Sequence, residues 1–229
     1  VFLSQPFLLS WKGTDVGFFA LASLAKGGAS LHAFYVLPEY RFLAQETFEE
    51  AVKGHDVREA MVPSNDELFL CLALETMHSR GGSLEPQAYN LTYAPPRREA
   101  EFGPEALTLV QQEEYPAMHA QSENMWLEDD LTGGARFYRL SHEGECLGYG
   151  SLFPRHLDTS LVDVGNYVLP AHRGKGVGRS LLIQLSRFAA AEEKTPSAGC
   201  WYYNHASIRT LVSSGFCPQS RLFHVFLMA

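Results

Sequence analysis

The sequence lacks any apolar run approaching the ~20 residues that cross a bilayer as a helix, and no charged-then-apolar leader opens it. A membrane partner is therefore not expected. Cysteine is sparse: Cys71, Cys146, Cys200 and Cys217 form no C-x-x-C pair and have no histidine at metal-ligand spacing. Buried thiols of a cytoplasmic protein are expected in place of a disulfide framework or a zinc site, and no metal is expected. Positive charge is also in short supply, with 18 Lys and Arg against 26 Asp and Glu and a net charge of −8. That balance argues against a nucleic-acid surface and favours a cationic partner. What remains is ordinary globular material: 229 residues, 46% hydrophobic and 19% charged, enough for one large domain or two modest ones.

The second half reads most clearly. "ARFYRLSHEG" and "CLGYGSLFP" have the pattern of two strands joined by a tight turn at His142–Glu145, and "SLVDVGNYVL" that of a third. Val177, Leu181, Leu182, Leu185, Phe188 and Ala189 recur at helical spacing, which predicts a helix over about Gly174–Glu193. "AGCWYYN" then reads as a strand, "ASIRTLVSSGF" as a short helix stopped by Gly215, and "RLFHVFLM" as a last strand. Upstream, Pro104–Glu128 is expected to be helical, in two pieces broken near Pro116. In the first half, "PFLLSW", "VGFFALAS" and "SLHAFYVL" read as three strands. Helices at about Arg41–Val52 and Asn65–His78, the strand "AYNLTYA" and the linker "PPRRE" follow.

One word, "YVLP", occurs in both halves, at Tyr35–Pro38 and Tyr167–Pro170, and closes the third strand each time. An arginine follows three residues after each proline, Arg41 and Arg173. The same order of elements surrounds both copies, which points to two related halves.

Only the second copy continues into glycines. "RGKGVG" (Arg173–Gly178) joins a strand to a helix, where glycines let backbone N–H groups converge at a positively polarised helix start. That is a cradle for pyrophosphate, with Arg173, Lys175 and Arg179 as nearby cations. The P-loop pattern G-x-x-x-x-G-K-[ST] is absent. The dinucleotide pattern G-x-G-x-x-G fails at Leu181, and hairpin-like strands precede the turn.

The stretch resembles the acetyl-CoA-binding motif of the GNAT superfamily of N-acyltransferases, V-x-P-x-x-[RQ]-x-x-G-x-[GA], at Val168, Pro170, Arg173, Gly176 and Gly178. "NHASIRTLVSSGF" (Asn204–Phe216) is similar to that superfamily's second signature, an Asn and a small residue opening a helix that ends in Gly-Phe. The resemblance covers about Pro104–Ala229. It implies an α/β (α+β) GNAT fold, a mixed central sheet flanked by helices, for a catalytic domain at 104–229. A smaller degenerate GNAT-like half at 1–94 would precede it through a linker at 95–103, an organisation familiar in bacteria.

The resemblance also implies roles. Acetyl-CoA would pair through its pantetheine arm with the backbone of Tyr167, Val168 and Leu169, and its pyrophosphate would lie on the N–H groups of Gly174, Lys175, Gly176, Val177, Gly178 and Arg179. Asn204 would reach the pantetheine arm or the thioester end, with Ser207 one helical turn away. A neutral amine would attack the thioester directly, and an N–H near Tyr167 or Val168 would bind the developing oxyanion. Asp163 is the one carboxylate in the strand before the cradle, either a base for the amine's proton or a solvated strand residue. Strict alternation sets it opposite Val162, Val164, Asn166 and Val168, and a bulge at Gly165 would reverse that phase. The family's frequent acid, a tyrosine seven residues after the helix-opening Asn, is replaced by Leu211. Tyr202 or water would then protonate the thiolate, with a core aromatic as the other reading of Tyr202.

In the first copy, Phe42, Ala44 and Glu46 stand where Gly174, Gly176 and Gly178 stand in the second. A bulky side chain and a negative charge then occupy the phosphate seat. This half is not expected to bind coenzyme A and would serve structurally, as a wall of an acceptor cleft. An N-acetyltransferase acting on a small amine of cationic character is the leading expectation. A non-catalytic acyl-CoA-binding or sensor module is the other. Glu113, Glu114, Glu123, Glu128, Asp129 and Asp130 would attract such an amine, or form a solvated face. No pattern indicates the oligomeric state.

Overall fold

An antiparallel three-strand meander followed by a parallel fourth strand occurs in each half of the chain. The computed structural model describes residues 4–96, 98–126, 133–155 and 158–227. They divide into a first unit, Val1–Tyr89 with Ser220–Ala229, and a second, Asn90–Gln219.

In the first unit β1 (Gln5–Trp11), β2 (Thr14–Ser23) and β3 (Ala29–Val36) form the meander. After β3 comes helix α1 (Ala44–Gly54), then β4 (Val57–Pro63) parallel to β3, helix α2 (Glu67–Arg80) and β5 (Ser83–Tyr93), whose last residues, from Asn90, belong to the second unit. Ala44, Phe48, Ala51 and Val52 of α1, and Phe69, Leu72, Ala73 and Thr76 of α2, recur at helical spacing and are buried. Phe48 meets Phe34 of β3 edge to face, with ring centroids 5.0 Å apart. Asp66 caps α2 by accepting from the Phe69 N–H at 3.1 Å, and left-handed Gly81 (φ 70°) ends it.

Strand β4 was not expected from the sequence. Ala29 pairs with Val57 and Ser30 with Glu59, so Arg58 is an extra, bulged residue that breaks the alternation of Val57, Ala60 and Val62. A second bulge lies in β3, where Ala20 pairs with Ala33 and Leu21 with Leu31, so that His32 is the extra residue of the register. It turns Leu31, Phe34 and Val36 all into the core.

The second unit runs β6 (Leu107–Leu109), α3 (Tyr115–Gln121), β7 (Arg136–His142), β8 (Glu145–Pro154), β9 (Leu161–Val168), α4 (Val177–Ala191), β10 (Thr195–Trp201) and α5 (His205–Ser213). β6 to β9 are antiparallel neighbours and β10 is parallel to β9. The two helical pieces expected over Pro104–Glu128 are replaced by 3-10 turns at Pro104–Ala106 and Gln112–Glu114, strand β6 and the short α3; Glu128 lies outside the described residues. Pro116 sits in the first turn of α3, where its missing N–H is not needed, so it starts a helix and does not break one.

The last strand, β11 (Phe216–Phe226), begins earlier than expected and is shared. Its first residues, to Gln219, belong to the second unit. Leu222–Phe226 pair antiparallel with β4, from Leu222–Pro63 to Phe226–Glu59, because Val225 and Leu227 are buried in the first unit's core. The compact unit therefore ends before the 229 expected for the second domain.

The sheet of the second unit presents two different faces. On one, Leu181 and Leu185 of α4 fill the space where a side chain on Gly150 would stand, and Val177 and Leu181 pack with Leu140, Leu147 and Val168. On the other, Phe137, Tyr149 and Tyr167 lie with Met118 of α3 and with Trp126.

Candidate functional site

Strands β9 and β10 pair over three residues only, Leu161 with Thr195 to Asp163 with Ser197, although they run on to Val168 and Trp201. The opening past that point is part of a cavity of about 1050 Å³. Asn166, Val168, the turn Arg173–Gly178 (Lys175 apart), and Asn204, Ser207 and Thr210 border it.

The turn adopts the conformation that its glycines permit. Gly174 (φ 77°) and Gly176 (φ 80°) are both left-handed, which costs any other L-residue roughly 1–2 kcal/mol. Gly176 is the cap of α4, so the first N–H groups of that helix open toward the turn. Gly178 is required for space: a Cβ there would lie 3.0 Å from Asn166 Nδ2 and 3.1 Å from Thr210 Cγ2. Left-handed glycines, a helix N-terminus and the bordering cations Arg98, Arg173 and Arg179 form a donor set that fits a pyrophosphate.

Not every expected coenzyme contact has the geometry for it. The Leu169 N–H donates to Leu147 O at 3.1 Å, across to β8. Backbone groups alternate sides along a strand, so those of Tyr167 also face β8, and Val168 alone of the three turns its peptide edge to the opening. Arg173 folds back on this strand end: its Nε donates to Val168 O at 3.1 Å and its Nη2 to Tyr167 Oη at 3.4 Å, with the guanidinium 5.6 Å from the Tyr167 ring centroid. Arg179 donates from Nε to Glu99 O at 3.1 Å and from Nη2 to the Glu101 carboxylate. Lys175 is exposed and does not border the cavity; Val177, though buried, does border it.

Asn204 accepts from the Ser207 N–H at 3.0 Å and so caps α5, which brings both residues to the cavity. Leu211 is buried in the core, so that position offers no acid. Tyr202 lies in the turn before Asn204, does not border the cavity, and packs edge-on against Tyr203.

Asp163 stands at the apex of the opening, opposite Ser197, whose hydroxyl donates to it. Arg155 Nε is 3.2 Å from its other oxygen. No bulge occurs at Gly165 against β8, because the register runs unbroken from Gly148–Val168 to Pro154–Val162. Alternation therefore holds, and Asp163 shares the Tyr167 face, away from α4. On that face burial, and then the neighbouring Glu123 carboxylate, push the Tyr167 phenol above the usual tyrosine value. Of the acidic residues singled out upstream, Glu114 is engaged by Arg139 at 2.9 Å; Glu128, Asp129 and Asp130 lie outside the described residues. Among the described residues no three side chains are grouped to hold a metal ion.

Glu101 is a site residue that the sequence did not disclose, as are Arg98, Asn166 and Thr210 at the cavity border. The Glu101 side chain lies over Gly176, in the space a Cβ there would take. Ser180 Oγ accepts from the Glu101 and Phe102 N–H groups at 2.8 and 3.1 Å, which straps this segment to α4. The contact joins residues 78 or more apart in sequence, and no local pattern signals it.

Two family models match the chain: one described as acetyltransferase (GNAT) family, over residues 104–216, and one described as acetyltransferase (GNAT) domain, over 1–91. No curated protein matches. Among solved structures, an acetyltransferase from the GNAT family of Colwellia psychrerythraea aligns over 97% of this chain and 85% of its own, at 17% identity and a TM-score of 0.79. A tandem GNAT protein from the clavulanic acid biosynthesis pathway aligns over 96% and 81%, at 19% identity and 0.64. A GCN5-related N-acetyltransferase from Sphaerobacter thermophilus aligns over 96% and 79%, at 13% identity and 0.58. At such identities the likeness is one of fold.

Proposed function

The chain belongs to the GNAT family of acetyltransferases, with one such domain in each half, and on that premise we propose that it moves an acetyl group from acetyl-CoA to a primary amine of a small molecule. The observation that carries this reading is the opening between β9 and β10, which joins the glycine turn to Asn204 in one cavity.

Bound there, acetyl-CoA would supply an activated thioester. The turn Gly174–Gly178 and the start of α4 hold its pyrophosphate by N–H groups, while Val168 and Asn204 line the path of the pantetheine arm. The Val168 N–H, directed into the opening, stabilises negative charge developing on the acyl oxygen, an effect of a few kcal/mol for a well-placed donor. The amine comes from the face opposite α4, because α4 and its turn occupy the other. On that face Asp163, fixed by Ser197 and Arg155, takes the amine's proton through water. Thiols are far more acidic than alcohols (about 8.5 for a cysteine side chain), so a thiolate would leave without an acid and solvent would protonate it, which suits a chain with Leu211 in the acid's place.

The test is release of free thiol from acetyl-CoA across a panel of small primary amines. Amine-dependent release supports transfer. The buried Leu211 favours a second reading, a coenzyme-binding module without turnover, and saturable acetyl-CoA binding with no thiol release on any amine would decide for it.

A further inference from the structure

In the turn "WYYN" (Trp201–Asn204), Trp201 and Tyr203 leave aromatic surface uncovered among the described residues. Trp201 is 59% exposed and Tyr203 48% exposed, although both rings are held: their centroids are 5.2 Å apart at 64°, and Tyr202 meets Tyr203 at 5.2 Å and 85°. Each edge-to-face contact uses one face of one ring in the pair and leaves the remaining aromatic surface open. A tryptophan left open in this way gives a large, rigid apolar surface at small entropic cost to a ligand.

Its position is set by the strand. The Ser197 hydroxyl meets Asp163, so Ser197 lies on the Asp163 and Tyr167 face, and alternation along β10 places Gly199 and Trp201 on that face as well. Gly199 is exposed and has no side chain, so the surface before Trp201 is open. A second unused group lies on the same face. Ser151 Oγ, fully buried against Gly165, has no hydrogen-bond partner among the described residues. The opening between β9 and β10 thus has the coenzyme cradle on one face; on the other lie a carboxylate and a phenol, with an uncovered indole at the end of β10, outside the lining of the coenzyme cavity.

We propose that Trp201, braced by Tyr203, is the wall of an acceptor subsite that stacks on the flat C–H face of a ring-borne amine, of aminosugar chemistry. This rests on the acetyl-transfer reading for its reaction, though not for its binding. The chemistry selects the ring face over the ammonium group. An indole that held the charged ammonium by its π face would oppose the deprotonation that attack requires. The same indole on the far side of the ring leaves the nitrogen directed to the opening. A linear alkylamine offers no such face.

The experiment is calorimetric titration of glucosamine and, separately, of n-butylamine into the coenzyme A-bound protein, with Trp201→Ala and Trp201→Phe beside the wild type. Trp201→Ala is expected to weaken glucosamine at least tenfold and Trp201→Phe less than fourfold, with n-butylamine and coenzyme A changed less than twofold by either. Glucosamine affinity equal in wild type and Trp201→Ala, equal losses for both amines, or no glucosamine binding by the wild type each overturns the subsite. Thiol release is scored separately, so loss of the transfer reading would leave the binding result standing.

Discussion

Leu37 and Leu169, the third residues of the two "YVLP" words, have one backbone conformation: φ −53°, ψ 141° at the first and φ −55°, ψ 140° at the second. Each is followed by a proline that starts a 3-10 turn. The two copies separate only after that turn. Pro38–Leu43 passes straight into α1, whereas Arg173 is extended and Gly174 and Gly176 turn left-handed before α4. Ala44, in the place of Gly176, has φ −59°. The strand exit is common to both halves, and the cradle belongs to the second alone.

Gly176→Glu is expected to abolish acetyl-CoA binding in a folded protein. The left-handed backbone disfavours any side chain there, and a second carboxylate would join Glu101 over the turn. Calorimetry beside Gly176→Ala separates charge from strain. Unchanged affinity in Gly176→Glu rejects the cradle.

Glu101→Gln is expected to tighten acetyl-CoA severalfold, with a larger gain at low salt. The Glu101 carboxylate now engages Arg179 and lies over Gly176, so its charge opposes phosphate at the rim. Weaker binding in Glu101→Gln would show instead that the Glu101–Arg179 contact organises the turn.

Asp163→Asn is expected to lower kcat about a hundredfold, the low end for a positioned base, with the KM for acetyl-CoA unchanged. The amide oxygen of Asn keeps the Ser197 hydrogen bond, so the strand pair should persist. Steady-state thiol release measures both constants, and an unaltered kcat removes Asp163 from the reaction.

The cradle was legible in the sequence because its determinants are local: glycine spacing, a proline and an arginine within nine residues of one another in "PAHRGKGVG". β4 was not, because the bulge at Arg58 disrupts its alternation. The phase of β9 depended on a bulge anticipated at Gly165, and the bulge occurs at His32 in the first copy. The partner of β11 and the Glu101–Arg179 contact depend on residues distant in sequence, which no window reports.

His32 gives the first unit an acid-sensitive point. Burial, outweighing the nearby Glu59 carboxylate, holds its imidazole below the usual histidine value. The unfolded chain then binds that proton more readily, so this contribution to stability is present at neutral pH and is lost as pH falls through about 6.5 toward the lower folded value. Urea midpoints at pH 7.5 and 5.5 should differ less in His32→Gln than in the wild type. An equal difference assigns the acid sensitivity elsewhere.

One coenzyme is expected per chain, at Arg173–Gly178. Phe42, 71% exposed, and Glu46 occupy the first copy where the second has glycines, and the 3-10 turn there offers no left-handed residue. Arg41→Ala should therefore leave acetyl-CoA affinity within twofold. Arg173→Ala should weaken it by about 1–2 kcal/mol, the scale of a charge-assisted contact. Two effects add in that loss: a cation leaves the phosphate's surroundings, and the Val168 carbonyl and Tyr167 hydroxyl lose their clamp. The first effect shrinks with added salt and the second does not. Titrations at low and high salt therefore apportion them. Two sites per chain, or a larger loss from Arg41→Ala than from Arg173→Ala, would reject a single working cradle.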